Sequence, residues 1–472
     1  MPTVQLKSAA MELGTERIRK LLMQYAVPAV VAMTASSLYN MVDSIFIGHG
    51  VGPLAISGLA LTFPLMNLAA AFGSLVGVGA ATLVSMRLGQ RDYDTAQQVL
   101  GNVVMLNLIL GIGFGFVVQL FLDPILYFFG ASDATIGYAR EYMTVILAGN
   151  VVTHMYLGLN SILRASGHPR KAMYATINTV IINAVLDPLF IYGFGWGIRG
   201  AAIATILAQV ISLMWQFRLL SDRSELIHFR RGIYRLRRKI VRDILAIGMS
   251  PFLMNLTACF IVILINKGLK TYGGDLMIGA YGIVNRLAFV FVMIVMGVNQ
   301  GMQPIAGYNF GARQYDRVLR VLRLTIICAV AVTTAGFIVG EFLPHVAVSL
   351  FTTDEELIRL AVEGMRIVFI CFPIVGFQMV ATNFFQSIGM AGKAIFMSLT
   401  RQLLFLLPGL IFLPHFFEVS TPWDGSWGVW CAMPVSDFLA TVVAFFMLTY
   451  QLRKFRGHLA AEPSAANKPS ES

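Results

Sequence analysis

The sequence predicts an all-α membrane protein with twelve transmembrane helices in two six-helix lobes, related by internal duplication and a pseudo-two-fold axis along the membrane normal. Three observations predict this fold. The 472 residues are 57% hydrophobic and only 12% charged, with a mean hydropathy of +0.73, which is more apolar than a soluble domain. Twelve apolar segments follow one another along the chain. A set of residues in the first half recurs in the second.

Each apolar segment is long enough for a transmembrane helix, because about 20 residues at a rise of ~1.5 Å cross the hydrocarbon layer. Helices are expected, since lipid cannot satisfy the backbone groups of an open strand. The segments begin near residues 21, 54, 96, 137, 170, 200, 242, 276, 318, 358, 392 and 427. The first is far longer than the core of a cleavable signal peptide, so we expect it to remain as the first helix.

Basic residues fall on alternate connections between these segments. Of the 35 Lys and Arg residues, 27 lie on one side, and nine of those lie between Arg218 and Arg242. The opposite connections, such as 48–53, 122–135 and 343–356, are acidic or uncharged. The positive-inside rule therefore predicts that both termini are cytoplasmic. It also accounts for the net charge of +11 without a nucleic-acid partner.

The same pattern predicts the domain organisation. We expect a cytoplasmic N-terminal segment (1–20), a first lobe (21–220), a basic cytoplasmic linker (221–241), a second lobe (242–452) and a disordered cytoplasmic tail (453–472). We expect the linker either to fix the orientation of the chain in the membrane or to bind anionic lipid headgroups. The four cysteines, Cys259, Cys328, Cys371 and Cys431, stand isolated in apolar helices and are expected to be buried small hydrophobes.

The internal repeat has an offset of about 222 residues. RLGQRDYD at 87–94 recurs as NFGARQYD at 309–316, with Gly, Arg, Tyr and Asp in register. Gly167 and Lys171 recur as Gly389 and Lys393. Because an even number of crossings separates the copies, the two halves have the same orientation in the membrane. That arrangement is typical of transporters that rock two bundles about a central site.

One carboxylate lies inside the first apolar segment. Asp43, with Asn40 one turn before it, is about 5 residues from the expected end of that helix near Gly48. An ionisable side chain within the hydrocarbon costs roughly 2.5 kcal/mol or more, so it usually faces a protein interior or a wet cavity and marks an ion or substrate path. The alternative is an Asp that reaches water at the helix end and has no function.

A second carboxylate lies at the same depth in the fifth segment. Asp187 is about 6 residues below the expected outer end, and Asn183, four residues earlier, lies on the same helix face. Two acids and two amides that face one another could hold a small cation through their oxygens or share a proton. The alternative for Asp187 is a cap on the helix break at Pro188. At the repeat offset, the two acids correspond roughly to Asn266 and Leu407 in the second half. The second lobe therefore lacks the acid pair, which predicts that the two lobes contribute unequally to ion coupling.

Catalytic and nucleotide-binding motifs are missing from the sequence. No G-x-x-x-x-G-K-[ST], H-E-x-x-H or G-x-S-x-G occurs, and the Cys and His residues form no spaced cluster. The sequence therefore predicts neither an enzyme nor an ATP-driven pump, and it predicts no cofactor and no resident metal.

Four stretches resemble the multidrug and toxic compound extrusion (MATE) family, in its DinF-like or MepA-like bacterial branch. They are YNMVDSIFIGHGVGPLAISGLALTFP, INAVLDPLFIYGFGWGIRGAAIAT, QGMQPIAGYNFGA and GVWCAMPVSD, and the resemblance covers essentially the whole chain. It implies a secondary antiporter of the bacterial cell inner membrane that exports toxic organic cations or amphipathic drugs in exchange for H+ or Na+. It also implies alternating access of the two lobes, and we expect a monomer in the lipid bilayer.

The resemblance implies a coupling site as well. The proton or cation site of this branch maps onto Asp43, Asn183, Asp187 and Thr205, with Asn160 and Tyr142 as neighbours and Asn40 beside them. Taken alone, Thr205 and Asn160 would be interhelical hydrogen-bonding groups and Tyr142 an interface anchor. Another branch carries acids in its seventh and tenth helices, where this chain has Asn255 and Asn383. That departure argues against a NorM-type sodium site, whereas transient Na+ at Asp43 and Asp187 stays open.

Three further charges lie near mid-membrane, namely Arg286, Arg401 and Asp437. One interpretation is that Arg401 and Asp437 form an ion pair that holds the second lobe together. The rival is that Asp437 itself carries the proton and that Arg286 modulates its pKa.

A substrate cavity between the lobes is expected to contain aromatic, Met and amide side chains, since aromatic faces attract organic cations and Met adapts to varied shapes. The candidates are Met33, Tyr39, Phe63, Met66, Tyr281, Asn285, Gln300 and Gln303. Each of them could equally be a packing or lipid-facing residue or, for the glutamines, form an interhelical hydrogen bond.

Two rival functions stay open. A lipid-linked oligosaccharide flippase of the wider superfamily would place several basic residues in the central cavity, where this chain has few. A membrane-embedded enzyme would need a catalytic constellation, and none is found. Both H+ and Na+ remain as coupling ions, because Asp and Asn oxygens serve either.

Overall fold

The computed structural model describes residues 9–420 and 424–461, nearly all of them helical and none in a β-strand. The helices of the first half are α1 (Ala9–Thr15), α2 (Ile18–Gly50), α3 (Pro53–Gly89), α4 (Tyr93–Leu120), α5 (Leu122–Phe128), α6 (Ile136–Ala148), α7 (Asn150–Ala165), α8 (Pro169–Gly193) and α9 (Gly197–Leu220). Those of the second half are α10 (Arg238–Gly274), α11 (Leu276–Gly311), α12 (Tyr315–Phe342), α13 (Pro344–Ser349), α14 (Glu355–Phe369), α15 (Phe372–Ser387), α16 (Ala391–Ser420) and α17 (Gly425–Ala461). Residues 462–472 of the expected tail lie outside the described residues.

Twelve crossings of the membrane result, as predicted. Ten helices of the described chain are long and apolar enough to span a bilayer singly. The other two spans are bent pairs: α6 and α7 meet at 55°, and α14 and α15 at 53°. Gly149 occupies the first of these bends. The protein is therefore a multi-pass membrane protein.

The duplication is visible in the backbone as well as in the sequence. Arg91 and Arg313, which are 222 residues apart, both adopt the left-handed conformation, with φ of 60° and 59°. Residues other than glycine rarely adopt that backbone conformation, so its occurrence at equivalent positions of the two halves is strong evidence for the duplication. Gly167 and Gly389 repeat it, with φ of 102° and 74°. The two halves are thus copies of one fold, as the sequence predicts.

Among the described residues, the buried clusters that join the two lobes lie toward one side of the membrane. We call the end where α2 begins and α3 ends the basic side, because most basic connections lie there. Near it, buried clusters mix the lobes: Val84 packs in one cluster with Ile244, and Leu21 in another with Val321. Toward the opposite side, one cluster contains only residues 47–202 and another only residues 261–433.

Glycines make the interlobe contacts close. A Cβ on Gly79 would lie 2.0 Å from the carbonyl oxygen of Ile244, and a Cβ on Gly301 would lie 2.6 Å from Cα of Ala26. Gly79 and Gly301 are themselves 222 residues apart, so the two contacts are related by the internal repeat. Small residues allow two membrane helices to meet backbone to backbone, which here holds the basic side closed.

Candidate functional site

Asp43 and Asp187 come together inside the first lobe. Asp43 lies on α2 seven residues before Gly50, and Asp187 lies on α8 six residues before Gly193. Both side chains are buried, with exposed fractions of 5% and 0%, and their carboxyl groups are close enough to interact electrostatically. Two ionised carboxylates close together repel one another, so the pair favours the uptake of a proton or a cation.

Asn183 and Thr205 extend this pair into a polar network. The Asn183 amide donates a 3.2 Å hydrogen bond to Oδ1 of Asp187 and lies 3.4 Å from Oγ1 of Thr205. The hydroxyl groups of Thr205 and Tyr39 are 2.9 Å apart. Tyr142, also buried, lies beside Thr205. The structure thus brings together Asp43, Asn183, Asp187 and Thr205, four of the residues expected at the coupling site. Tyr142, which was also expected there, and Tyr39 lie beside Thr205.

Three oxygens of this network have no hydrogen-bond partner among the described residues. They are Oδ1 of Asp43, Oδ1 of Asn183 and Oδ2 of Asp187, and all three are buried. A buried acceptor without a partner costs roughly 1–3 kcal/mol, so three of them in one place are not explained by packing. Carboxylate and amide oxygens suit a proton or a small hard cation, and this is what the arrangement can bind.

One expected member, Asn160, is not part of the network. Asn160 donates to the carbonyl oxygen of Ala172 (2.9 Å) and accepts from Arg164 (2.8 Å). Ala172 lies 15 residues before Asp187 on α8, which is about 22 Å along the helix, so the placement of Asn160 beside the acids is wrong. Its amide ties α7 to the first turn of α8 instead. The side chain of Asn40 lies outside the described residues.

The residues expected to line a substrate cavity do not all have the same surroundings: some lie between the lobes, some are packed within one lobe and some are exposed. Gln303 donates to Oγ1 of Thr82 (2.8 Å) and Gln300 to the sulfur of Met33 (3.4 Å), so both glutamines bridge the closed lobes. Tyr281 is buried against the ring of Trp430, with centroids 6.0 Å apart, and is a packing residue of the second lobe. Met66 is half-buried in the first lobe, whereas Phe63 and Asn285 are exposed.

A small cleft beneath the two glutamines was not predicted. It has a cavity volume of about 10 Å³ between α3, α7 and α11, and Ser85, Ser161 and Arg164 line it. In the sequence, Arg164 is one of the basic residues that lie on alternate connections. The contacts between the lobes near this cleft could be predicted from the sequence, because Gly297 and Gly301 have the G-x-x-x-G spacing of tightly packed membrane helices.

Among the described residues of the second lobe, Arg401, Asp437, Asn255 and Asn383 have hydrogen-bond partners, whereas Arg286 has no acidic partner. Nε of Arg401 donates to Oδ1 of Asp437, and Asp437 is buried. Asn255 and Asn383 each donate to a carbonyl oxygen four residues earlier on their own helix, at 2.8 and 2.9 Å. Arg286 is exposed and has no acidic side chain within 4.0 Å among the described residues. The structure therefore favours the ion-pair interpretation of Arg401 and Asp437 and gives Arg286 no contact with that acid.

Comparison with known proteins gives a consistent result. Residues 28–189 and 248–411 match the family model described as MatE, one copy in each half. The Multidrug export protein MepA of Staphylococcus haemolyticus (strain JCSC1435) is 26% identical over 436 residues, which is 92% of this chain and 94% of that protein.

Solved structures agree with that match. The structure of the MATE multidrug transporter DinF-BH is 34% identical with a TM-score of 0.85, over 94% of this chain and 97% of that one. A MOP superfamily transporter from Pyrococcus furiosus has a TM-score of 0.87 at 24% identity over 95% of this chain and 99% of that one, and is similar in fold.

Proposed function

The chain belongs to the MatE family of membrane transporters and is not an enzyme, and on that premise we propose that it is a secondary active multidrug exporter driven by H+ or Na+. Its relatives in staphylococci are named multidrug export proteins. The observation that carries the proposal is the proximity of two buried acids, Asp43 and Asp187, with unpartnered oxygens around them. Occupation of that site by a proton or Na+ changes the charge of one lobe, which is what coupling requires.

The proposed cargo consists of cationic or amphipathic small molecules, and the proposed location is the bacterial inner membrane. The distribution of basic residues supports cytoplasmic termini, so the basic side faces the cytoplasm. In that orientation the two lobes (21–220 and 242–452) flank the basic linker 221–241, and the drug leaves on the side where the lobes are parted.

The proposed mechanism is alternating access by rocking of the two lobes. The glycine contacts of Gly79 and Gly301 close the cytoplasmic side, while separate clusters in each lobe face one another toward the outside. A drug binds when the cavity opens inward. After reorientation, a proton or Na+ that enters at Asp43 and Asp187 favours release of the drug and resetting of the lobes.

One measurement tests the proposal. Purified protein in liposomes is given a gradient of tetraphenylphosphonium, and the movement of H+ and of Na+ is recorded separately with pH-sensitive and sodium-sensitive dyes. We expect substrate-driven flux of one of the two ions. A double variant, Asp43→Asn with Asp187→Asn, is the matched control and should abolish that flux. Substrate movement without either ion would overturn the antiport mechanism.

A further inference from the structure

A groove lies along α10 close to the basic side. Its volume is about 720 Å³. One face of α10 supplies most of the lining, because residues 238, 241, 242, 245 and 249 recur at the helical spacing of three or four. The other walls are Leu236, at the end of the linker, and Ile395, on α16. The groove faces away from the protein interior, since Ile247, on the face of α10 opposite Arg238, is buried.

The groove is charged at one end and apolar along the rest. Arg238 and Arg242 lie in the first two turns of α10, at the basic end, and both are exposed. Beyond them the lining is apolar, with Val241, Leu245 and Met249 on the same face. Met249 lies 11 residues after Arg238, or about 16 Å along the helix, which is about half the thickness of the hydrocarbon layer. The groove therefore has the length of one leaflet.

The positive charge at the basic end has little acidic compensation. Residues 230–242 contain seven basic side chains and no Asp or Glu. No ion pair of Arg238 occurs among the described residues, and Arg242 has only Asp243, at 3.7 Å. The side chain of Arg242 stays 77% exposed in spite of that pair. A negatively charged group therefore fits this end of the groove, and an apolar chain fits the rest.

The walls of the groove belong to different lobes. Leu236 is held to the first lobe through the side chain of Asn102 on α4. That side chain accepts a 3.0 Å hydrogen bond from the backbone N–H of Arg237 and donates to the carbonyl oxygen of Arg235 at 3.3 Å. Ile395, on α16, belongs to the second lobe. A molecule that fills the groove thus contacts both lobes and favours the arrangement in which the basic side is closed.

We propose that one anionic phospholipid of the adjacent leaflet binds in this groove and stabilises the closed basic side. Its phosphate contacts Arg238 and Arg242, and one acyl chain lies along the apolar lining. A guanidinium binds phosphate through two parallel N–H groups, and basic residues near a membrane surface attract anionic lipid. A lipid suits the groove better than a soluble anion, because most of the lining is apolar and lies within the depth of one leaflet. The inference depends neither on the cargo nor on the coupling ion.

The first test measures lipid retention by native mass spectrometry. Purified protein in detergent is incubated with dioleoylphosphatidylglycerol or, for comparison, with dioleoylphosphatidylcholine. We expect one phosphatidylglycerol to stay bound to the unmodified protein. Arg238→Gln with Arg242→Gln should lower that retention at least about tenfold, because two charge-assisted contacts are lost. Arg320→Gln with Arg323→Gln removes two exposed charges from α12 on the same side of the membrane, and this matched control should retain the lipid.

Two further arms distinguish a groove from a charged surface and a lipid from a free anion. Ala246→Trp places an indole in the groove from an exposed position and leaves both arginines in place, so it should lower phosphatidylglycerol retention as well. Glycerol 3-phosphate has the charge without the acyl chains and should not displace the lipid. Equal retention of the two lipids, unchanged retention in the double Arg variant or in Ala246→Trp, or displacement by glycerol 3-phosphate would overturn the inference.

The second test follows the closed state in the absence of drug. Ser85→Cys in a protein without native cysteines reports opening of the basic side, because Ser85 is buried beside the interlobe cleft. Labelling by an impermeant maleimide from that side should be several-fold slower in vesicles that contain phosphatidylglycerol than in phosphatidylcholine alone. Addition of Arg238→Gln and Arg242→Gln should make the two rates equal. Equal rates with both arginines present would show that the lipid does not stabilise the closed state.

The results are separate from those that test the proposed function. Neither lipid retention nor labelling measures transport, so a failure of drug export leaves both outcomes as they are. Membrane content and Tm of each variant exclude misfolding as the cause of a loss.

Discussion

Gly248 on α10 and Leu75 on α3 touch backbone to backbone: a Cβ on Gly248 would lie 1.8 Å from the carbonyl oxygen of Leu75. The contact is reciprocal, because a Cβ on Gly79 would lie 2.0 Å from the carbonyl oxygen of Ile244 on the facing helix. Neither oxygen can move aside without a shift of its helix. The closed arrangement of the basic side therefore depends on glycine at these two positions.

The first prediction is that Gly248→Ala opens the basic side. The methyl group forces α10 and α3 apart, so the population should shift toward the state in which the lobes part there. Ser85, which is buried beside the interlobe cleft, is the reporter. In a variant with Ser85→Cys and no native cysteine, we expect several-fold faster labelling by an impermeant maleimide from that side.

Gly113→Ala on α4 is the control for this substitution. A Cβ at Gly113 would meet nothing within 4 Å, so it should leave the labelling rate unchanged. Equal rates for Gly248→Ala and Gly113→Ala would contradict the dependence of closure on the glycine contact.

The second prediction concerns His168, which precedes α8 and lies 2.8 Å from Oε1 of Glu225. Burial lowers the pKa of His168 below its usual value, although Glu225 acts in the opposite direction. The folded state thus disfavours the protonated ring. Its contribution to stability is complete above the unfolded pKa of about 6.5 and is lost as pH falls through the lowered folded value.

The measurement is Tm at pH 7.5 and pH 5.5. His168→Gln should reduce the drop in Tm between these two pH values, because the variant has no ring to protonate. His345→Gln, at an exposed histidine, is the control and should leave the drop as it is in the unmodified protein. An unchanged drop in His168→Gln would refute the assignment.

The third prediction is that Asp437 supports the fold and does not carry the proton. Asp437→Asn leaves the guanidinium of Arg401 without its carboxylate, which should lower the free energy of unfolding by on the order of 2 kcal/mol. Export per folded molecule should stay close to that of the unmodified protein. Denaturant unfolding and vesicle transport measure the two quantities. Loss of transport without a change in the free energy of unfolding would instead indicate that Asp437 carries the proton.

Much of the fold was predictable because a bilayer restricts the chain to long apolar helices. Hydropathy predicts where the transmembrane helices begin, and the register of the repeat relates Gly89 to Gly311. The expected end of the first helix near Gly48 is only two residues short of the observed end at Gly50. The bend at Gly149 was not predicted, since a bent pair and a straight helix have the same hydropathy.

The candidate site was predictable where depth and helix face were both used. Asp43 and Asp187 share a depth, and Asn183 shares the face of Asp187, and the structure brings all three together. The resemblance alone predicts Asn160 beside the acids, and its depth does not agree, because it lies near the opposite end of α8. The pairing of Tyr39 with Thr205 joins two helices far apart in sequence, and no local pattern indicates it.

The fourth prediction is that Asp43 and Asp187 act as one unit. Asp43→Asn and Asp187→Asn each keep the shape of the side chain but remove an ionisable group, so each should lower ion-coupled export at least about tenfold while the protein stays folded in the membrane. Because both acids hold the same proton or cation, the double variant should be no worse than either single one, a deviation from additivity that a double-mutant cycle measures. Asp123→Asn, which removes an acid from an exposed pair with Arg140, is the matched control and should leave export unchanged. Full export by both single variants, or losses that simply multiply in the double variant, would show that the two carboxylates do not share a bound ion.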